Sequence, residues 1–281
     1  MKQSVFVQHS GAVCDFSSSD SWVILSPIEQ SIKRKIEAVG TPLKDWDIQI
    51  NYGIKTGYND AFIIDTEKRE AILANCQTEE ERKRTAELIR PILRGRDIRR
   101  YEYEWADKYL IATFPSRHYD IELYPAVKRH LLSFGKERLE QTGKTYSING
   151  EKIKARKKTH NKWFETQDQI NYSDDFNKQK LIWTPVNSEY KFTVIPKEYY
   201  FNNSIFMITG EDLYYLCGIL NSSLYQKYFK IMLTKGKYNY GSAANIKQIP
   251  IITLPKNKKD EIEKIVKKIL SEKRYDLISQ I

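Results

Sequence analysis

The chain has 281 residues, which is enough for one large domain or two domains of ordinary size. Hydrophobic residues make up 41% and charged residues 29%, a balance that excludes a disordered chain, a collagen and a coiled coil. The formal net charge of +10 favours an anionic partner such as a nucleic acid.

Three features of the sequence predict a cytoplasmic protein that has no membrane partner. The longest uncharged run, residues 213–226, is too short to cross a bilayer. Lys2 is followed by polar residues rather than by the apolar segment of a signal peptide. The three cysteines, Cys14, Cys76 and Cys217, are too widely spaced for a disulfide framework or a zinc ribbon.

The first predicted helix spans residues 27–39. Ser26 and Glu29 stand at the positions of a capping box, Pro27 suits the first helical turn, and Gly40 ends the helix. We then predict, in chain order, strands at 46–50 and 61–65, a charged helix at 78–90, a strand at 109–114 and an amphipathic helix at 125–139.

A strongly basic segment follows. Residues 128–162 contain eleven Lys and Arg against three acids, which gives this segment a net charge of +8. We predict that 141–162 is a long basic loop, because it has little apolar periodicity and several turn formers. A solvated lysine-rich surface is the alternative, but interleaved aromatic residues such as Trp163 favour nucleic-acid binding.

The remaining predicted elements are strands at 180–184, 191–195 and 204–208, a helix at 211–230, a Gly-, Tyr- and Lys-rich loop at 234–243 and a last helix at 259–272. Strands and helices do not alternate regularly, so we predict an α+β fold with a mixed sheet, packed helices and a helix at the C-terminus.

No catalytic motif, metal site or nucleotide-cofactor turn is evident. The histidines lack metal-ligand spacing, and no Gly-x-Gly-x-x-Gly or Gly-x-Ser-x-Gly occurs. Asp174 or Asp175 followed by Glu189 and Lys191 resembles the Asp…Glu-x-Lys pattern that holds Mg²⁺ in nucleases. In a chain this rich in acids and lysines, however, such spacing arises repeatedly by chance.

Five stretches in a fixed order resemble one family. They are Asn51 to Asp65 (NYGIKTGYNDAFIID), Ile89 to Ile98 (IRPILRGRDI), Tyr124 to Val127 (YPAV), Trp163 to Glu165 (WFE) and Leu216 to Leu224 (LCGILNSSL). In this order they resemble the TaqI-like C-terminal specificity domain of adenine-specific DNA methyltransferases and type IIG restriction-modification enzymes.

The resemblance covers about residue 41 to the C-terminus. It implies a DNA target-recognition domain at 41–281, preceded at 1–40 by a linker strand and helix that continue from a methyltransferase domain. That domain's Asn-Pro-Pro-Tyr/Phe motif does not occur here. We therefore expect no catalysis from this chain alone, and we assign S-adenosylmethionine and Mg²⁺ to the catalytic domains rather than to this chain.

Under this interpretation the partners are double-stranded DNA and a methyltransferase acting in cis, within a restriction-modification or phage-defence system. The predicted DNA-binding residues are Lys55, Thr56, Tyr58, Asn59, Arg94, Arg96, Lys154, Arg156, Lys157, Lys158, Lys162, Lys235, Lys237, Tyr238 and Tyr240.

Several alternatives remain open. Gly53 and Gly57 either let the backbone approach a phosphate or form a glycine hairpin that supports the sheet. Arg94 and Arg96 either bind DNA or pair with acids such as Asp97. For the whole chain, the alternatives are a stand-alone Mg²⁺-dependent endonuclease and a module that binds RNA or single-stranded DNA.

Overall fold

The computed structural model describes residues 25–187, 189–235 and 238–281, with the side chains of 186–187 and 233–240 excluded. Contacts between Cα atoms divide the chain into two compact units. Among the described residues, the terminal unit comprises 25–48, 185–187, 189–190, 214–235 and 238–281, and the central unit comprises 49–184 and 191–213.

The helices of the described residues are α1 (Pro27–Val39), α2 (Asn59–Phe62), α3 (Thr66–Ala74), α4 (Glu79–Leu88), α5 (Pro125–Leu132), α6 (Lys136–Leu139), α7 (Leu213–Asn221), α8 (Ser223–Leu233), α9 (Ala243–Ile246) and α10 (Lys256–Glu272). The strands are β1 (Gly40–Pro42), β2 (Ile48–Tyr52), β3 (Ile63–Asp65), β4 (Ile89–Leu93), β5 (Ile98–Arg99), β6 (Glu102–Tyr103), β7 (Lys108–Ile111), β8 (Thr145–Ile148), β9 (Glu151–Lys154), β10 (Lys180–Trp183), β11 (Val186–Asn187), β12 (Thr193–Ile195), β13 (Tyr200–Phe201), β14 (Phe206–Gly210), β15 (Thr234–Lys235), β16 (Tyr238–Tyr240) and β17 (Pro250–Ile252).

Two four-stranded sheets form the central unit, in the orders β12-β10-β14-β2 and β13-β4-β7-β3. In the first sheet, Leu181 lies opposite Val194 on one side and Ile208 on the other, in antiparallel register. The second sheet is mixed, because β13 runs parallel to β4 whereas β7 is antiparallel to it. The predicted α+β fold with a mixed sheet is confirmed.

A continuous apolar core fills the central unit, and strand β10 is buried on both faces. All four side chains of β10 are inaccessible to solvent, including Trp183 and Lys180. Strands buried on both faces lack polar alternation and carry apolar runs instead, as β10 does. Buried Glu81 holds two elements together, since its carboxylate accepts from the backbone amides of Gln77 (2.8 Å) and Ala126 (3.0 Å).

The terminal unit is built on helices α1, α7, α8 and α10 and on the short ladder between β1 and β17. Tyr225 joins a helix to this ladder, because its hydroxyl donates to the carbonyl of Pro250 (2.9 Å) and accepts from the amide of Ile252 (3.0 Å). Gly218 in α7 lets α10 approach closely, since a Cβ there would lie 2.7 Å from Cγ2 of Ile262.

Most predicted elements are confirmed within a few residues, but two predicted helices are divided. The helix predicted at 125–139 breaks into α5 and α6 at Gly135, whose φ is +86°. The helix predicted at 211–230 breaks into α7 and α8 at Ser222, whose hydroxyl caps the second helix by accepting from the amide of Tyr225 (3.3 Å).

The long loop predicted at 141–162 is wrong. Residues 145–154 form the antiparallel hairpin β8–β9, with Thr145 opposite Lys154 and Ile148 opposite Glu151. The prediction overlooked the alternation of polar and apolar residues on either side of Asn149 and Gly150, which is the usual sequence pattern of a tight hairpin. None of the helices in the described part of the chain has the length and apolar character needed to cross a membrane.

Candidate nucleic-acid interface

Arg156, which we predicted to bind DNA, lies inside the central unit. Its side chain is 4% exposed, and its guanidinium donates four hydrogen bonds to backbone carbonyls. The acceptors are the carbonyls of Leu139 (2.8 Å), Thr56 (2.7 Å), Glu165 (2.8 Å) and Trp163 (2.6 Å). A single side chain therefore joins the segment around Gly53 and Gly57, the Trp-Phe-Glu turn and the end of α6.

Burial weakens the charged form of this guanidinium. The pKa of Arg156 falls to about 10, mainly because of desolvation, while Glu140 and Glu165 act in the opposite direction. The guanidinium carbon also lies 5.0 Å from the centre of the Phe62 ring, within the range of a cation–π contact. These contacts give Arg156 a structural role that supports the surrounding surface.

The two glycines of the segment 53–57 are required by neighbouring protein atoms. A Cβ at Gly53 would lie 2.0 Å from the carbonyl oxygen of Asn202. Gly57 has a φ of +78°, and a Cβ there would lie 2.9 Å from Cδ of Arg156. These close approaches favour a supporting role for the two glycines over a phosphate-binding turn. The segment itself forms no hairpin, and Ile54 instead makes an isolated parallel bridge with Asn202.

The polar side chains of this segment divide into buried and exposed positions. Thr56 is 1% exposed, and its hydroxyl donates to the side-chain oxygen of Asn59 (2.7 Å). Lys55 is exposed, and its carbonyl accepts from the amide of Gln167 (2.9 Å). Tyr58 is half-buried between the Phe134 ring and the guanidinium of Arg138. Of these predicted residues, Lys55 and Asn59 are the ones available to a ligand.

We call Arg156 and the four carbonyls that it binds the Arg156 cluster. Exposed lysines lie on the segments around this cluster, and we call these lysines the basic surface. It comprises Lys55, Lys144, Lys152, Lys154, Lys157, Lys158 and Lys162. Asp168 lies near Lys55 and Lys157, which lower its pKa, although burial dominates and raises it overall. The ammonium of Lys162 lies 5.5 Å from the Phe164 ring centre, so it remains close to the Trp-Phe-Glu turn. The basic surface can neutralise several phosphates of one polyanion.

The arginine cluster at 94–100 is largely paired with acids. Arg94 forms a bidentate ion pair with buried Asp97, with N–O distances of 2.9 and 3.0 Å. Arg99 pairs with Glu104 at 3.2 Å. Arg96 is exposed. The structure therefore favours ion pairing for Arg94 and leaves Arg96 on the surface.

The predicted residues of the loop 234–243 belong to the terminal unit. Lys235 lies in β15, and Tyr238 and Tyr240 lie in β16, so the backbone forms a small hairpin there. Lys237 lies outside the described residues.

The nuclease-like acids have structural partners in the central unit. Asp175 is 8% exposed, and its carboxylate accepts from Nδ2 of the Asn51 side chain (2.8 Å) and from Nζ of Lys178 (2.8 Å). Asp174 forms an ion pair with Arg117. Among the described residues, no group of three His, Cys, Asp or Glu side chains could hold a metal ion.

Two features of this region were missed by the sequence interpretation. The hairpin β8–β9 was signalled by Asn149-Gly150 between alternating residues. The burial of Arg156 had no comparable signal, because its neighbours Lys157 and Lys158 are equally basic and both exposed.

Comparison with known proteins identifies one family, and the similar solved structures include two restriction enzymes. A model of the TaqI-like C-terminal specificity domain matches residues 90–251, more than half of the chain. Residues 41–89, which the sequence resemblance also included, lie outside that match. A comparison with curated proteins gives no match.

The type IIG restriction endonuclease BpuSI superposes with a TM-score of 0.53 at 11% identity, over 86% of this chain and 28% of that chain. The Type IIL restriction-modification enzyme MmeI, solved in complex with DNA, superposes with a TM-score of 0.50 at 14% identity, over 83% of this chain and 28% of that chain. Likeness at this identity shows the fold, and this chain corresponds to less than a third of each enzyme.

Proposed function

Because the chain belongs to the family of TaqI-like C-terminal specificity domains, we propose that it binds double-stranded DNA and recognises a specific sequence in it. The family match over residues 90–251 is the observation that carries this proposal. The net charge of +10 and the basic surface of the central unit support it, since phosphate neutralisation supplies much of the affinity of DNA-binding proteins.

The proposed partner is a methyltransferase domain acting in cis on adenine. The two similar structures are a restriction endonuclease and a restriction-modification enzyme, each more than three times as long as the aligned part. A methyltransferase must extrude its target base from the stack, so a separate domain that fixes the register on the duplex is useful. S-adenosylmethionine and Mg²⁺ would belong to the catalytic part.

We propose different roles for the exposed lysines of the basic surface and for the buried residues beneath them. Lys55, Lys157, Lys158 and Lys162 would contact phosphates, since their side chains are exposed around the rigid Arg156 cluster. Arg156 and Thr56 support these contacts from the interior without touching DNA. Arg96, Asn59, Lys235, Lys237, Tyr238 and Tyr240 remain candidate DNA contacts.

The proposal is tested by selecting binders from a pool of duplexes with a random central segment. We expect the full chain to enrich a defined sequence and to bind that duplex more tightly than the corresponding single strand or RNA. Equal recovery of all sequences, or tighter binding of the single strand, would contradict the proposal and favour a module for single-stranded nucleic acid.

A matched pair of triple variants tests whether the basic surface is the binding face. We expect Lys157, Lys158 and Lys162 changed together to Ala to weaken duplex binding by at least about tenfold at low salt. The control changes three exposed lysines of α10, namely Lys256, Lys264 and Lys268, and so alters the net charge equally. Equal losses in the two variants would show a general charge effect rather than a binding face.

The loop 234–243 requires its own test. If it contacts DNA, Lys237→Ala and Tyr240→Ala should each lower affinity or alter the selected sequence. Unchanged affinity and preference in both variants would make this loop a connector.

A further inference from the structure

The hairpin β8–β9 is a two-stranded ribbon with an anchored base and an exposed tip. At its base, hydrogen bonds continue beyond the strands, from the amide of Ala155 to the carbonyl of Lys144 (2.9 Å) and from the amide of Gly143 to the carbonyl of Arg156 (2.9 Å). The buried guanidinium of Arg156 thus lies directly below the ribbon. An isolated hairpin is marginally stable in water, so this anchor explains how a ribbon of four-residue strands can persist.

The tip points into open space. Asn149 and Gly150 have φ angles of 49° and 84°, as in the two-residue turns that Asn-Gly favours. Apart from Gly150 and its two chain neighbours, no residue has a heavy atom within 4 Å of the position of a Cβ on Gly150. The tip is therefore not packed against the rest of the central unit.

The two faces of the ribbon differ in chemistry. Tyr146, Ile148 and Ile153 are half-buried and lie on one face. The other face is fully exposed and consists of two cross-strand pairs, Thr145 with Lys154 and Ser147 with Lys152. We call these four residues the polar face. All four carry hydrogen-bonding groups, and none of them is an acid.

The dimensions of the ribbon match those of the DNA major groove. The two strands lie about 4.8 Å apart, and the major groove, which is about 12 Å wide, admits a ribbon of this width. Residues two apart on a strand are about 7 Å apart, which is about two base-pair steps of about 3.4 Å. The two cross-strand pairs are therefore spaced to contact base pairs that are two steps apart.

We propose that the ribbon enters the major groove through its polar face and that Ser147, Asn149, Lys152 and Lys154 contact base edges. This inference rests on the proposed duplex-binding function and assigns sequence discrimination to one element. Lysine donates to O6 and N7 of guanine, and Asn pairs with N6 and N7 of adenine. The Ser hydroxyl both donates and accepts, so it can bond to more than one kind of base. Lys157, Lys158 and Lys162 lie beyond the base of the ribbon and contact phosphates.

The test compares the sequences that the full-chain wild type and single variants select from random duplexes. Lys152→Met and Lys154→Met remove the ammonium groups, and Asn149→Gly removes the amide while keeping the positive φ. Lys157→Met makes the same charge change outside the ribbon. Circular dichroism and thermal unfolding of each variant check that the fold is retained.

We expect each ribbon variant to lose preference at one position of the selected sequence, with discrimination reduced by about five- to 150-fold. Lys157→Met should select the wild-type sequence and lower affinity for all duplexes alike. Ribbon variants that select the wild-type sequence with uniformly lower affinity would overturn the inference and make the ribbon a phosphate clamp. A wild type that selects no sequence would instead refute the proposed function itself.

Discussion

Two cations in the central unit are buried and are solvated by backbone carbonyls. Arg156 donates to four carbonyls, and Lys180 donates from Nζ to the carbonyls of Pro196 (3.3 Å) and Tyr199 (3.2 Å). Burial favours the neutral form of each side chain, and it lowers the pKa of Lys180 from 10.5 to about 7. Lysine is far easier to deprotonate than arginine, so Lys180 makes stability depend on pH.

We predict that Lys180→Met removes a pH dependence of the free energy of unfolding. Between pH 7 and 10.5 the unfolded chain binds more protons at this amine than the folded chain does. The wild-type protein therefore gains stability as pH rises through this window, at up to about 1.4 kcal/mol per pH unit. Urea unfolding at pH 6.5 and 9 measures the gain.

The control for this prediction is Lys191→Met, an exposed lysine of the same unit, which should keep the wild-type gain. Identical pH profiles for wild type and Lys180→Met would show that the buried amine does not titrate in this window.

We predict that Asp168→Asn strengthens duplex binding. Asp168 is the carboxylate near Lys55 and Lys157, and burial raises its pKa. Its removal frees both lysines for phosphates, so affinity should rise about two- to fivefold at low salt. Wild-type affinity should also rise as pH falls and the carboxyl becomes protonated, and the variant should lack that rise.

Asp260→Asn on α10 is the control, and unchanged binding by Asp168→Asn would remove Lys55 and Lys157 from the interface.

The helices and strands of this chain depend partly on local sequence signals and partly on contacts with distant segments. Helix α1 has its complete capping box, with the Ser26 amide donating to Glu29 (2.8 Å), and Gly40 at its end. The ribbon β8–β9 has its Asn-Gly turn and the alternation of its strand residues as local signals, and it also depends on contacts below its base. Its position is therefore a property of the Arg156 cluster.

We predict that Arg156→Met destabilises the central unit and releases the ribbon. The change takes the guanidinium donor from the carbonyls of Leu139, Thr56 and Trp163, while the Glu165 carbonyl keeps the Gln141 side chain as a donor (3.1 Å). This loss should cost about 3 kcal/mol or more. Amide hydrogen exchange should accelerate in the ribbon and in residues 53–57 together, because Thr56 is bonded to this guanidinium and the base of the ribbon is bonded to the backbone of Arg156. The neighbouring exposed change Lys157→Met should stay within about 0.5 kcal/mol of wild type. Unchanged exchange in the ribbon would show that it does not need the anchor.

At the scale of the whole molecule, charge is concentrated where the proposed interface lies. Residues 128–162 carry a net charge of +8 out of the chain's +10. Most of these cations are exposed lysines around one rigid cluster. Because bound phosphates release counterions, this concentration should control how affinity depends on salt.

We predict a steep salt dependence of duplex binding. About five phosphate contacts would give a slope of log K against log salt of roughly −4 to −5, at about −0.9 per contact. Changing Lys157, Lys158 and Lys162 to Ala should reduce the slope by up to about three units, measured by fluorescence anisotropy across a salt series. A flat salt response of the wild type would place the basic surface away from DNA.

The sequence by itself determined the features that depend on neighbouring residues or on ordered motifs. The capped helix α1 follows from Ser26, Glu29 and Gly40, which act within a few positions of one another. The specificity-domain resemblance followed from short stretches in a fixed order and was confirmed over residues 90–251. The α+β class followed from the irregular order of strands and helices.

Only the tertiary structure decided which basic residues are available to a ligand. Arg156 and Lys157 are adjacent and similar in sequence, yet the first is buried and the second exposed. Gly57 and Thr56 likewise contact the side chain of Arg156, which lies about a hundred positions away in the sequence. Burial depends on contacts between distant segments. Desolvating a cation costs free energy, and this cost is offset only when several carbonyls bind the cation. No local sequence pattern encodes that arrangement of carbonyls.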